Sequence, residues 1–100
     1  MTEPTREEVD DMPGPVLLEF GASWCPHCQA ILPQMTTLLA KHPIIRYIPV
    51  EDGRGQPLGR SFRVKLWPTL VFLRDGEVIR MAVRPSAAEI EAGFTELSNA

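Results

Sequence analysis

Cysteine is scarce in this chain. It holds two, Cys25 and Cys28, in the stretch Ser23-Trp24-Cys25-Pro26-His27-Cys28-Gln29. No disulfide framework can therefore staple the fold. Long hydrophobic runs are missing too. Nothing approaches the ~18 consecutive apolar residues of a membrane helix, so no membrane partner is expected. Basic residues are in the minority, 10 Lys+Arg against 13 Asp+Glu for a net charge of −3. That balance lacks the footprint of a nucleic-acid binder, and no nucleic-acid partner is expected. The N-terminus, Met1 to Met12, is polar and acidic. It has neither the basic segment nor the apolar stretch of a secretory signal, so the expected compartment is the cytoplasm. Internal repeats and low-complexity segments are absent. What remains is 100 residues, 44% hydrophobic. They predict one domain around one core, residues 1–100, acting as a monomer.

Proline is plentiful by contrast, with 10 residues. Residues Thr5 to Asp11 predict a short helix, Thr5 capping it and Glu8 completing a capping box. Pro13-Gly14-Pro15 stops it, and residues 1–15 read as an N-terminal helical arm. Val16 to Ala22 is nearly continuous in apolar residues, which suits a strand covered on both faces. Glu19 is the anomaly within it. A helix is predicted over Pro26 to Lys41, where Ile31, Leu32, Met35, Leu38 and Leu39 recur at helical spacing. Pro33 is expected to kink it. Ile44 to Val50 predicts a second strand, and Pro49 places it at a sheet edge. Gln56 to Val64 predicts a short helix. Leu70 to Arg74 and Glu77 to Val83 flank Asp75-Gly76, a strong hairpin signal. Ser86 with Glu89 forms another capping box, opening a helix to about Leu97. A β-α-β unit followed by a hairpin implies a mixed sheet of about four strands between helices.

The two cysteines leave three readings open. A disulfide between them would close a very small loop and stabilise the fold little, so a structural role is weak. Half a zinc site is a second reading, although tetrahedral zinc wants four ligands and only His27 and His42 remain to help. No metal is expected. The third reading is redox. Cys25 sits where a strand hands over to a helix, and unpaired helix N–H groups stabilise a thiolate there. An imidazolium at His27 would favour the thiolate further. Cys28 lies one turn along, its sulfur directed toward the strand that carries Glu19. Cys25 could attack a disulfide and Cys28 could resolve the mixed disulfide. No bound cofactor is needed, because the electrons reside on the two sulfurs.

From Val16 onward the sequence resembles the thioredoxin family. Val16-Leu17-Leu18-Glu19-Phe20 stands for its central strand and Trp24-Cys25-Pro26-His27-Cys28 for its Trp-Cys-x-x-Cys centre. Pro33 stands for the proline of its active-site helix, Pro68-Thr69 for its cis-proline and following threonine, and Gly76-Glu77-Val78 for its last hairpin. The resemblance implies a three-layer α/β/α fold and a protein thiol–disulfide oxidoreductase. It implies Cys25 as nucleophile and Cys28 as resolving thiol, with Pro26 and His27 setting the potential. It implies substrate contacts at Trp24, Trp67, Pro68, Thr69 and Arg84. The partners implied are disulfide-containing proteins, with thioredoxin reductase or glutathione as electron donor. Four departures stand out. Glu19 replaces the family's buried aspartate and could accept the proton of Cys28. The lysine near that acid is not evident, and Tyr47 or a neighbour lies near its place. Arg84 stands where the family has a glycine. The family's first strand has no room. The Pro-His pair resembles the centre of a periplasmic disulfide-forming oxidase, which predicts a more oxidising potential than that of ordinary thioredoxin. The rival from another class is a non-catalytic binding or chaperone-like module of the same fold.

Overall fold

A computed structural model describes residues 3–99. Met1 and Thr2, the start of the expected N-terminal arm, and Ala100 lie outside the described residues. The element order is α1 (Arg6–Asp10), β1 (Pro15–Gly21), α2 (Pro26–Lys41), β2 (Arg46–Glu51), α3 (Pro57–Ser61), β3 (Thr69–Arg74), β4 (Glu77–Val83) and α4 (Ala87–Ser98). The strands form one sheet in the order β2-β1-β3-β4. β1 runs parallel to β2 and antiparallel to β3, and β3 is antiparallel to β4.

The alternation of side chains along β1 builds the three layers. Leu17 faces α2 and α4, in a cluster with Met35, Leu38, Leu70, Phe72, Ile90 and Phe94. Val16, Leu18 and Phe20 face the other way, in a cluster with Val9 of α1 and Leu58 of α3. The near-continuous apolar run thus reflects cover on both faces, as expected. Both capping boxes form: Thr5 with Glu8, and Ser86 with Glu89. The Asp75-Gly76 turn takes positive φ at both residues, 52° and 82°, as a two-residue hairpin of type I′ requires.

Two boundaries differ from the expected ones by two residues or more. β2 begins at Arg46, because Ile45 donates its N–H to the His42 carbonyl at 3.1 Å and closes a turn. Ile44 is left 77% exposed while Ile45 enters the core. α3 ends at Ser61, well short of Val64. There Arg63 takes φ 59° and donates its N–H to Arg60, while Val64 donates to the Gly59 carbonyl at 2.9 Å. That pair of bonds is a Schellman ending with arginine in the left-handed position. α2 continues through Pro33 as one element, and Pro33 is exposed. β2 does lie at an edge, and among the described residues no strand precedes β1.

Candidate active site

β1 ends at Gly21, and three residues of turn lead into Cys25, the N-cap of α2. The turn is held locally: Cys25 donates its N–H to the Ala22 carbonyl at 3.0 Å, and the Gln29 amide donates to the Ser23 carbonyl at 3.0 Å. Pro26 occupies the first helical turn, where its missing N–H removes no bond. A cap normally offers an oxygen to the free N–H groups of the first turn. Here the Cys25 sulfur takes that place, accepting the N–H of Cys28 at 3.3 Å.

Both cysteines are free thiols with little exposure, 4% for Cys25 and 6% for Cys28. Their acidities are driven apart. The Cys28 thiol donates toward the Cys25 sulfur and so lowers the pKa of Cys25. Burial opposes that, while the N–H groups of Cys28 and His27 and the charge of Arg84 add to it. Cys28 is pushed up to about 11, first by burial, then by its bond to Cys25 and by the nearby charge of Glu19.

The period of the strand explains what lies beneath. Glu19 and Gly21 share a face with Leu17, toward α2. A Cβ at Gly21 would stand 2.8 Å from the Cys28 sulfur, so only glycine leaves room there. Glu19 is buried, and burial raises its pKa, partly offset by the hydroxyl that Tyr47 donates to it. Tyr47 itself is raised by burial and by that bond. Glu19, Cys28, Gln29 and Tyr47 line one cavity on this side of α2.

On the outer side, Trp24, Cys25, Pro26, His27, Trp67 and Arg84 surround a shallow groove. The Trp24 and Trp67 rings meet edge-on at 5.5 Å, with Trp24 69% exposed. The Trp67–Pro68 bond is cis, and Pro68 shares a second hollow with His27 and Arg84. Arg84 takes φ 44°, a conformation that favours glycine. It is exposed, but its Nε donates to the Trp67 carbonyl at 3.0 Å rather than pointing away.

Thr69 departs from expectation. It is 1% exposed and its hydroxyl donates to the Leu66 carbonyl at 2.6 Å, so its side chain braces the turn and does not face the groove. Asp52 was hidden in the sequence. It reads there only as a loop residue, yet its carboxylate accepts the Trp67 indole N–H at 2.8 Å. No local signal joins residues 15 positions apart. Among the described residues, no three His, Cys, Asp or Glu side chains cluster as a metal site, and no helix is long and apolar enough to cross a membrane.

The arrangement pairs an acidified sulfur at a groove with a second thiol and a buried carboxyl behind it. Known proteins resemble the chain in sequence and fold. The family profile described as Thioredoxin matches residues 2–96. Reduced thioredoxin 2 from Pseudomonas aeruginosa is 49% identical and superposes with a TM-score of 0.84, over 96% of this chain and 90% of that one. A thioredoxin of Aspergillus fumigatus is 30% identical over 86 residues, spanning 85% of this chain and 80% of its own length. Thioredoxin H3 of Arabidopsis thaliana is 30% identical over 79 residues, spanning 79% of this chain and 67% of its own. The chain belongs to the thioredoxin family of protein thiol–disulfide oxidoreductases.

Proposed function

We propose that the chain exchanges a Cys25–Cys28 dithiol with disulfides of protein substrates, and that its couple is more oxidising than that of ordinary thioredoxin. The observation that carries this reading is geometric: two free thiols lie within one helical turn, with the Cys25 sulfur at the N-cap of α2 accepting the Cys28 N–H at 3.3 Å. A thiolate at Cys25 attacks one sulfur of a substrate disulfide, and the other substrate sulfur leaves as thiolate. The new bond is a mixed disulfide on Cys25. Bonding to the substrate removes the Cys25 charge, which is one of the groups that hold the Cys28 pKa high.

Cys28 then loses its proton and attacks the Cys25 sulfur. The second substrate thiol leaves, and the Cys25–Cys28 disulfide remains. We assign the proton to Glu19, a buried carboxyl with a raised pKa that shares the inner cavity with Cys28. Tyr47 positions that carboxyl by donating to it. Two electrons from thioredoxin reductase or glutathione restore the dithiol, and the expected setting is the cytoplasm. Trp24, Trp67, Pro68 and Arg84 form the substrate surface, with His27 and Pro26 at its rim. The oxidising character is supported by the groups that favour a Cys25 thiolate, because they stabilise the reduced form.

The test uses two variants with a disulfide-bonded protein substrate and dithiothreitol as donor. Cys25→Ser is expected to abolish turnover. In a separate incubation without dithiothreitol, Cys28→Ser is expected to accumulate a mixed disulfide on Cys25 that survives non-reducing electrophoresis. Equal turnover by Cys25→Ser and the parent would sink the reading. So would client binding with no turnover by either protein, which would mark a binding module instead.

A further inference from the structure

We propose that a cationic cleft beside the cysteines binds an acidic segment of the substrate protein. The proposal rests on the disulfide-exchange reading above. An open cleft of about 600 Å³ adjoins the active-site groove, and Trp67 belongs to both. Four cations line it: Arg54, Arg60, Arg63 and Lys65. All four are exposed. The ion pairs among the described residues are Arg6–Asp10 and Arg80–Glu96, so none of the four is paired there. The cleft's one carboxylate, Asp52, is held by the Trp67 indole and packs over Gly59. A chain of net charge −3 thus gathers unpaired positive charge on one flank of its nucleophile.

Arg63 strengthens the case. It sits in the left-handed position of the Schellman ending, at φ 59°. Glycine takes that position without penalty, while a side chain there destabilises the turn. Among the described residues the Arg63 side chain makes no hydrogen bond or ion pair that would offset this cost. A side chain that stands against local conformational preference and lines a cleft next to the active-site groove fits use by a ligand. Charge complementarity names the ligand class. Aspartate and glutamate side chains near the substrate disulfide would meet these cations, raising encounter rate and favouring such substrates over neutral ones.

The test compares two peptide disulfides that differ only in a flanking tail, Asp/Glu-rich in one and Asn/Gln in the other. A small neutral dialkyl disulfide reports the chemistry alone. At low ionic strength kcat/KM for the acidic peptide is expected to exceed the neutral one by roughly tenfold. The margin shrinks to about twofold or less in about 0.5 M salt. A variant carrying Arg54→Gln, Arg60→Gln and Arg63→Gly loses the preference but reduces the dialkyl disulfide at the parent rate. Arg63→Gly alone lowers the preference while raising Tm, an outcome a structural role would not give. Equal kcat/KM for both peptides in the parent, with the dialkyl disulfide still turned over, overturns the cleft and leaves the exchange reading standing. If no disulfide is turned over, Trp fluorescence titration with the acidic tail alone decides: weaker binding by the triple variant supports the cleft, and equal binding overturns it.

Discussion

The Cys25 sulfur does two jobs at one position. It caps α2 by accepting the Cys28 N–H, and it is the sulfur whose pKa the surrounding donors lower. Its alkylation rate should therefore rise with pH through a midpoint below that of an ordinary thiol. Arg84→Gln should move that midpoint upward, because the guanidinium favours the thiolate. Iodoacetamide kinetics across pH would measure both. An unchanged midpoint in Arg84→Gln would remove the arginine from the account.

Glu19 makes a second residue-level prediction. Its folded pKa lies above the unfolded value, with burial the larger cause. The folded state thus binds the extra proton, and stability is fully present below the unfolded pKa and falls as pH rises through the folded one. Glu19→Gln, which can still accept from Tyr47, should match the parent near pH 4. At pH 7 it should be more stable than the parent, because the buried amide carries no charge. Urea unfolding at the two pH values checks it, and a gain confined to low pH would contradict it. Tyr47→Phe removes the one bond that lowers the Glu19 pKa, so it should extend this window upward. Much of this chemistry was legible at the residue scale. A carboxyl inside an apolar run and a Cys-x-x-Cys at a strand–helix junction are local signals. Thr69 and Asp52 were not legible, because their hydrogen bonds are settled by how the Trp67 segment turns and by which loop comes to meet it.

At the scale of elements, the signals that held were those written in adjacent residues. The two capping boxes and the Asp75-Gly76 turn depend on side chains within four positions, and each formed. The turn is further tied to the chain before β1: Asp75 accepts the Gly14 N–H at 2.7 Å. Gly76 combines φ 82° with close approach to the Asp10 carbonyl, which a Cβ would strike. Gly76→Ala should therefore destabilise the fold by at least about 1–2 kcal/mol from the left-handed backbone alone. A stability within a few tenths of the parent would contradict the turn geometry.

The end of α3 and the start of β2 were misplaced for one reason. Apolar residues continue past both boundaries, and the chain uses them as core contacts outside regular structure: Ile45 is buried in the cluster facing α2 and α4, while Phe62 is buried in the opposite cluster, against which Val64 packs. The register shift between Phe72 and Leu73, opposite Arg80 and Val78, also had no signal in the sequence. It arises from pairing, which composition does not encode.

For the whole molecule, the sheet divides the core into two clusters, and at the end of β1 Ala22, Cys25 and Cys28 form a third, with Trp67 packed against it. β1 is one of the two inner strands, so the sulfur follows a strand that is paired along both edges. The α/β/α layering was legible from the continuous apolar run of β1, the helical spacing in α2 and the hairpin signal at Asp75-Gly76, taken in their order along the chain. The charge map was not. Overall composition reads as mildly acidic, and only folding gathers Arg54, Arg60, Arg63 and Lys65 beside Trp67.

The central claim is that Cys25 and Cys28 form a reversible couple biased toward oxidation. Equilibrating the protein in graded glutathione buffers and measuring the fraction of Cys25–Cys28 disulfide tests it most directly. The account predicts a single two-electron transition with a midpoint clearly above about −270 mV, the thioredoxin value, in the direction of about −120 mV. A midpoint at or below about −270 mV would contradict the oxidising bias, and the absence of any reversible disulfide would contradict the exchange mechanism itself.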